Sequence, residues 1–203
     1  MHDLSTLKES LKGFRIILAS ASPRRRELLA GLDIDFTIEV NDDIDESVTF
    51  DCPLTETSGR LSRLKSEGFG RELEQDEILI TADTLVICND EILGKPKDRE
   101  EAVEMLRKLS GRSHTVATGV TIRSHKESAT FTALSDVYFK NLLQTEIDYY
   151  LDNYKPYDKA GAYGIQEWIG FTAIERIEGS YFNIVGLPVQ RLSEALRQFI
   201  HEK

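Results

Sequence analysis

A short apolar run, FRIILA (Phe14 to Ala19), leads directly into SPRRRELLAGL, and no other feature constrains the fold as much. Bounded by turn residues, the run reads as a buried strand rather than a helix. Ser22 is a natural N-cap, its hydroxyl able to accept from an otherwise unpaired backbone N–H. Pro23 falls at the first helical position, where its missing N–H costs nothing, and Gly31 ends the helix. A strand therefore turns at once into a helix. The junction also poses an electrostatic problem, because Arg24, Arg25 and Arg26 follow immediately. Each cation at the positive end of a helix is unfavourable by roughly 0.3–1 kcal/mol.

Further elements can be read along the chain. DFTIEV (Asp35 to Val40) alternates as a second strand, and Pro53 to Phe69 has a helical pattern in which Leu54, Leu61 and Leu64 share a face. EILITADTLVIC (Glu77 to Cys88) is strand-like, broken in the middle by ADT, and NDE turns it into a hairpin through ILGKP. Asp98 to Leu109 is a helix with capping-box-like spacing at Asp98 and Glu101, a stripe of Ala102, Met105, Leu106 and Leu109, and Ser110-Gly111 as its stop. HTVATGVTIR and ATFTALSDVYFK are two β-rich runs, followed by a helix from Gln144 to Tyr154 that Pro156 ends. KAGAYGIQ and GSYFNIVGLP read as glycine-punctuated loops around short strands, and a final amphipathic helix spans Pro188 to His201. Strands alternate with helices early and pair antiparallel later, so the expected fold class is α/β, a mixed twisted sheet flanked by helices. The chain is expected to form one domain over residues 1–203.

Charge narrows the possible partners. With 25 Lys and Arg against 35 Asp and Glu, the net charge is −10. That argues against nucleic-acid binding, which needs a broad basic surface, and against anionic membranes. Cys52 and Cys88 have no metal-type spacing and read as reduced thiols of a cytosolic protein. The segment MHDLSTLKES lacks the features of a signal peptide, and no run approaches the roughly 18 apolar residues of a membrane span. A soluble cytoplasmic protein is expected.

Against this acidic background the arginine cluster has a simple explanation. Free N–H groups at a helix start, the hydroxyls of Ser20 and Ser22, and arginines in the first turn together make a phosphate receptor. Arginines fanned into water, pairing with carboxylates, are the competing explanation. Asp83 of ADT, Lys95 of the rigid GKP turn and the cations of RLSRLKS (Arg60, Arg63, Lys65) each have an ordinary surface or turn reading when taken alone. Asp45 and Glu46 of the acidic loop NDDIDES offer either a divalent-metal site or plain loop charge. The histidines are scattered, and His114 and His125 on the β-rich runs read as structural.

Taken in order, ASASPRRRELL, IDE, RLSRLKS, ADT, GKP, MLRKLSGRSHTVATGV, DKAGAYGIQ and GSYFNIVGLP resemble the Maf family of nucleotide pyrophosphatases, over nearly the whole chain. The resemblance implies a fold related to inosine-triphosphate pyrophosphatases, with an active-site cleft between two lobes. It further implies cleavage of nucleoside triphosphates to the monophosphate and pyrophosphate, dTTP and UTP in this branch, with a divalent cation (Mg²⁺, Mn²⁺ or Co²⁺) and a homodimer. By the same resemblance Ser20, Arg24 and Arg25 match the phosphate-binding turn, and Lys65 and Lys95 the two motif lysines. Asp83 matches the proton acceptor, Glu46 and Asp83 the metal carboxylates, and Arg25, Thr84 and Gln166 positions tied to substrate choice. The family often reads a glycine after GIQ, whereas Glu167-Trp168 follows here. The alternatives are a pyrophosphatase for a modified or guanine nucleotide, and a nucleotide-sensing regulator of cell division.

Gln166 carries the expected base preference. Its amide offers a donor and an acceptor and so can meet the edge shared by thymine and uracil, while Gly161 and Gly164 allow close backbone approach. A glutamine bonded only within its own loop is the plain alternative.

Overall fold

The computed structural model describes residues 6–40 and 50–201. The chain begins with α1 (Leu7–Ser10), β1 (Arg15–Leu18), α2 (Pro23–Ala30) and β2 (Phe36–Ile38). Next come α3 (Leu54–Glu67), β3 (Glu77–Cys88), β4 (Glu91–Leu93) and α4 (Arg99–Leu109). The long strands β5 (Ser113–Arg123) and β6 (Ser128–Phe139) precede α5 (Gln144–Tyr154), a single 3₁₀ turn (Ala160–Ala162) and α6 (Trp168–Ala173). The chain closes with β7 (Ile174–Glu178), α7 (Tyr181–Val185) and α8 (Val189–His201).

All seven strands join one mixed sheet in the order β2-β1-β3-β5-β6-β7, with β4 pairing to the far half of β3. β1 lies parallel to both β2 and β3, and the remaining pairs are antiparallel. The mixed sheet predicted from the alternation of elements is the one found. β1 is covered on both faces, and Ile16, Ile17 and Leu18 are almost fully buried, as a parallel strand between helices requires. Ile16, Leu18, Ile78 and Ile80 pack with Leu29 of α2 and with Leu192, Leu196 and Phe199 of α8. Ile17 and Leu79, on the opposite face, pack with Phe69 and Leu73. A third cluster joins α4, α5 and α6 to β5 and β6, and the stripe Ala102, Met105, Leu106 and Leu109 is buried in it. Among the described residues no helix is long and apolar enough to cross a membrane.

Four local readings need correction. First, β3 is not broken at ADT: Asp83 sits opposite Gly119 and Thr84 opposite Thr118 in a continuous ladder with β5. The interruption lies on its other edge. There β1 stops opposite Ile80 and β4 starts opposite Val86, so the residues between have no strand partner on that side among the described residues. Second, α3 does not pack through a leucine face. Leu61 is buried, Leu54 and Leu64 are half-buried, and the contact face is Ser58, Gly59, Ser62 and Ser66. Third, GSYFNIVGLP forms α7, started by Ser180, whose hydroxyl accepts from the Asn183 N–H. Fourth, KAGAYGIQ contains the 3₁₀ turn rather than a strand. The NDE turn is as expected, with Asn89 and Asp90 both at positive φ, the backbone of a tight hairpin turn.

Small residues on α3 let its backbone lie almost on β5. A Cβ at Gly119 would fall 2.2 Å from the Ser58 carbonyl carbon and oxygen, and one at Gly59 would fall 2.7 Å from Thr132 Oγ1. Hydroxyls replace apolar packing here: Thr81 Oγ1 donates to the Ser62 carbonyl at 2.6 Å, and Ser62 Oγ meets Thr121 Oγ1 at 2.9 Å.

Gly119→Ala is therefore expected to lift α3 and cost about 1–3 kcal/mol or more by urea denaturation, as overpacking does. Gly94→Ala, where an added Cβ meets nothing within 4 Å, is the control and should stay within about 0.5 kcal/mol of the parent.

Candidate active site

The free edge of β3 opens onto a cleft of about 710 Å³. Successive strand residues face opposite sides of a sheet, so Asp83 and Thr84 deliver two different chemistries to one place. On one face Lys65, near the end of α3, donates to Asp83 Oδ1 at 2.6 Å. Asp83 is 8% exposed, so this ion pair is largely withdrawn from solvent at the cleft floor. On the other face Arg25, in the first turn of α2, donates through Nη2 to Thr84 Oγ1 at 3.0 Å and through Nε to the Gly186 carbonyl at 2.9 Å.

Local sequence chemistry aims Arg25. Ser22 caps α2 by accepting from the Arg25 N–H, and Pro23 occupies its first turn. Ser20 Oγ accepts from the Ser22 N–H at 3.3 Å and lies 3.5 Å from Arg25 Nη1. A hydroxyl has two acceptor sites and one proton, so this pattern directs the Ser20 proton toward a further acceptor. Thr84 continues inward: its hydroxyl is 3.0 Å from Thr118 Oγ1, which donates to the Asn183 carbonyl at 3.0 Å. Because Thr118 gives its proton to Asn183, Thr84 gives its own to Thr118 and accepts from Arg25. The Asn183 amide nitrogen then bonds the Val116 carbonyl and Ser135 Oγ, at 3.0 and 2.9 Å. A buried chain of oriented hydrogen bonds thus fixes the arginine from β5 and α7.

Arg24, Lys95 and Gln166 line the same cleft. Arg24 donates to Asp158 Oδ2 at 3.1 Å, Lys95 reaches in from the GKP turn, and Gln166 stands exposed on the opposite wall. Lys95 has no ion-pair partner among the described residues. Glu46, with Asp45, lies outside the described residues. Arg60 and Arg63 do not line the cleft, and Arg63 pairs with Glu67 on the solvated face of α3. Both cysteines are free, Cys88 buried and Cys52 half-buried.

A family model described as "Maf-like protein" matches residues 15–199. The chain belongs to the Maf-like family. It is 51% identical over 191 residues to the dTTP/UTP pyrophosphatase of Parabacteroides distasonis, covering 94% of this chain and 99% of that one. It is 50% identical over 193 residues to the dTTP/UTP pyrophosphatase of Porphyromonas gingivalis, covering 94% and 97%. Among solved structures the fold is shared with the Ham1 protein of Staphylococcus aureus, at a TM-score of 0.54 and 16% identity over 91% of this chain and 99% of that one.

Several cleft residues of this Maf-like chain are assigned no site role from the sequence, although Asp158 and Lys159 open the block DKAGAYGIQ and Glu167 marks the departure after GIQ. Asp158, Lys159 and Glu167 form one charged group: Lys159 Nζ lies 2.7 Å from Asp158 Oδ1 and 3.0 Å from Glu167 Oε1. Tyr163, in the same wall, hydrogen-bonds His114 Nε2 at 2.8 Å and meets His114 and Phe139 edge to face. Of the Glu167-Trp168 pair only Glu167 lines the cleft, while Trp168 packs on Tyr149 at 4.9 Å.

His114 is structural, as the sequence suggests, and its burial pushes its pKa down to about 4. The unfolded chain therefore binds a proton that the folded chain refuses between pH 6.5 and 4, and stability falls as pH drops through that window. The gap corresponds to roughly 3 kcal/mol. Relative to His114→Gln, the parent is expected to lose about that much stability between pH 7 and pH 4 in urea titrations. A parallel pH dependence in the two proteins would remove His114 from this role.

Proposed function

We propose that this Maf-like protein hydrolyses dTTP and UTP to the nucleoside monophosphate and pyrophosphate. The observation that carries the reading is one withdrawn carboxylate, Asp83, sharing a cleft with Arg24, Arg25, Lys65 and Lys95. Relatives at about half identity over nearly their whole length, named dTTP/UTP pyrophosphatase, support the same substrates. Catalysis of phosphoryl and nucleotidyl transfer is mostly positioning and charge neutralisation. Arg25 and Ser20 would hold one part of the triphosphate at the start of α2, and Lys95 and Arg24 the rest. Asp83, with one oxygen occupied by Lys65, would orient a water molecule and take its proton as the α–β anhydride opens. Pyrophosphate leaves, and the water oxygen stays on the phosphorus it attacked.

The donor set suits a divalent cation that arrives with its substrate. Among the described residues no three His, Cys, Asp or Glu side chains gather as a ready cage. Magnesium is commonly held by one or two carboxylates plus substrate phosphates, and Asp83 supplies such a carboxylate. Bound there, the ion would contribute Lewis-acid neutralisation of the phosphate oxygens. Two free cysteines agree with a cytoplasmic setting. The exposed Tyr181 and Phe182 beside the edge strand β7 would suit a homodimer contact.

Pyrophosphate release from a nucleotide panel tests the reading. dTTP and UTP are expected well above ATP and GTP. A preference for a guanine or modified nucleotide would favour the related activity, and binding without turnover would favour a sensor. Asp83→Asn should retain substrate binding and lose about 10²-fold or more in kcat, the worth of a general base; more than half of parental turnover would exclude Asp83 from that role. Gln166→Ala should narrow the pyrimidine-over-purine ratio in kcat/KM with little change in Tm, because an unread hydrogen-bonding edge no longer rejects the wrong base. An unchanged ratio would place base selection elsewhere in the cleft.

A further inference from the structure

The two walls of the cleft are joined by a chain of alternating charges. It starts at Arg24 in the phosphate turn, whose Nη1 donates to Asp158 Oδ2 at 3.1 Å. Asp158 Oδ1 accepts from Lys159 Nζ at 2.7 Å, and the same ammonium lies 3.0 Å from Glu167 Oε1. The other Glu167 oxygen accepts from the hydroxyl of Tyr150, a fully buried residue of α5. That hydroxyl in turn accepts from the Gly164 N–H at 3.0 Å. Every link is an ion pair or a hydrogen bond. The Lys159 side chain is 12% exposed and that of Glu167 is 23% exposed.

The chain ends on the turn that presents Gln166. The Glu167 N–H donates to the Gly164 carbonyl at 3.0 Å, closing a turn with Ile165 and Gln166 at its tip. A side chain at Gly164 would come within 2.9 Å of Glu167 Cδ and 3.0 Å of Lys159 Cε, so the turn is built directly on that ion pair. At Gly170 a Cβ would sit 1.9 Å from the Ile165 carbonyl oxygen, which fixes the turn from behind. Burial and the adjacent Glu167 carboxylate push the Tyr150 phenol above its usual range, keeping it a neutral donor.

We infer that Glu167 is a specificity-determining positioning residue, tied through Lys159 and Asp158 to Arg24 so that polyphosphate binding and base readout are coupled. Arginine has five N–H donors in a fixed fork. Arg24 can therefore hold Asp158 with one and meet phosphate oxygens with others. Phosphate on Arg24 then orders Asp158, Lys159 and Glu167, and with them the turn carrying Gln166. Ordering paid for by the first ligand favours the second, and the coupling is reciprocal. The inference rests on the proposed pyrimidine nucleotide site.

Calorimetry on the full chain in magnesium buffer tests it, using thymidine with and without saturating inorganic pyrophosphate, alongside dTTP turnover. In the wild type, pyrophosphate is expected to tighten thymidine binding at least about fivefold, the lower end of ordinary coupling. Glu167→Gln keeps a hydrogen-bonding group toward Tyr150 but releases Lys159, and should reduce that factor to less than about twofold with pyrophosphate affinity unchanged. Asp158→Asn, at a side chain 61% exposed, should abolish the coupling equally while binding pyrophosphate as well or better, since a negative charge has left the cleft. A residue with only a structural role would weaken both ligands and lower Tm without removing the coupling. Wild-type protein without coupling, or either variant retaining the fivefold effect, overturns the inference. Coupling without dTTP turnover would instead overturn the proposed reaction.

Discussion

The site depends on how closely α3 approaches the sheet. At Ser58, Gly59 and Gly119 helix backbone rests on strand backbone, at a separation that leaves no room for a Cβ. Such contact removes the usual layer of apolar side chains between helix and sheet. What remains is a row of hydroxyls: Ser62 bonds across the interface to Thr81 and Thr121, and Thr121 bonds on within the sheet to Thr130. Lys65 lies one turn beyond this row, which brings its ammonium within 2.6 Å of Asp83. With α3 a further side-chain layer away, the same lysine would not reach the strand. Removing either partner of a withdrawn ion pair leaves an uncompensated charge, so packing and site charge stand or fall together here.

β3 distributes the chemistry because a strand has two faces and two edges. Its β5 edge is paired without a break from Leu79 to Ile87, while between the β1 and β4 pairings its other edge has no strand partner among the described residues. Asp83 meets a lysine from α3 and Thr84 an arginine from α2, although the two residues are adjacent in sequence. Ligands of open α/β sheets bind beyond the carboxyl ends of the strands, where the topology divides. β1 ends at such a division, and its following turn carries Ser20, Arg24 and Arg25.

Features set by neighbouring residues were legible in the sequence; those set by distant contacts were not. Ser22, Pro23 and Gly31 announced α2, and Asp98 with Ala102, Met105, Leu106 and Leu109 announced α4, because caps and periodic stripes are local signals. The ADT triplet pointed to residues that line the cleft, but for the wrong geometric reason. Where a strand loses one neighbour is decided by the lengths of β1 and β4, not by the strand itself. Similarly, α3 displays leucines at helical spacing, but its packed face is chosen by Gly119 on another element. α6, β7 and α7 are five or six residues each, too short for a period to register. Lys65, Lys95 and Gln166 had ordinary surface readings individually, and the family resemblance, not their spacing, joined them into one site. Asp158 and Lys159 lay in a block of that resemblance and Glu167 marked a departure from it, but their mutual contact was not legible, since a charged loop residue looks the same whether it meets water or a cleft.

A chain of net charge −10 gathers several of its cations in one cleft. Lys65 is matched by Asp83 and Arg24 by Asp158. Arg25 is bonded to the Gly186 carbonyl and to the hydroxyls of Ser20 and Thr84. Those oxygens orient the guanidinium. Lys95 reaches the cleft from a rigid Gly-Lys-Pro turn and has no ion-pair partner among the described residues. Screening confines exposed charges to about 8–10 Å at moderate ionic strength. The acidic surface therefore sets the field far from the protein, while inside the cleft the nearest groups decide. The three arginines at a helix N-terminus, unfavourable for an isolated helix, then make physical sense together: one bonds to neutral oxygens, one sits on an exchangeable aspartate, and Arg26 is left in water. The helix gives up a little stability, and the cleft gains the guanidinium groups of Arg24 and Arg25.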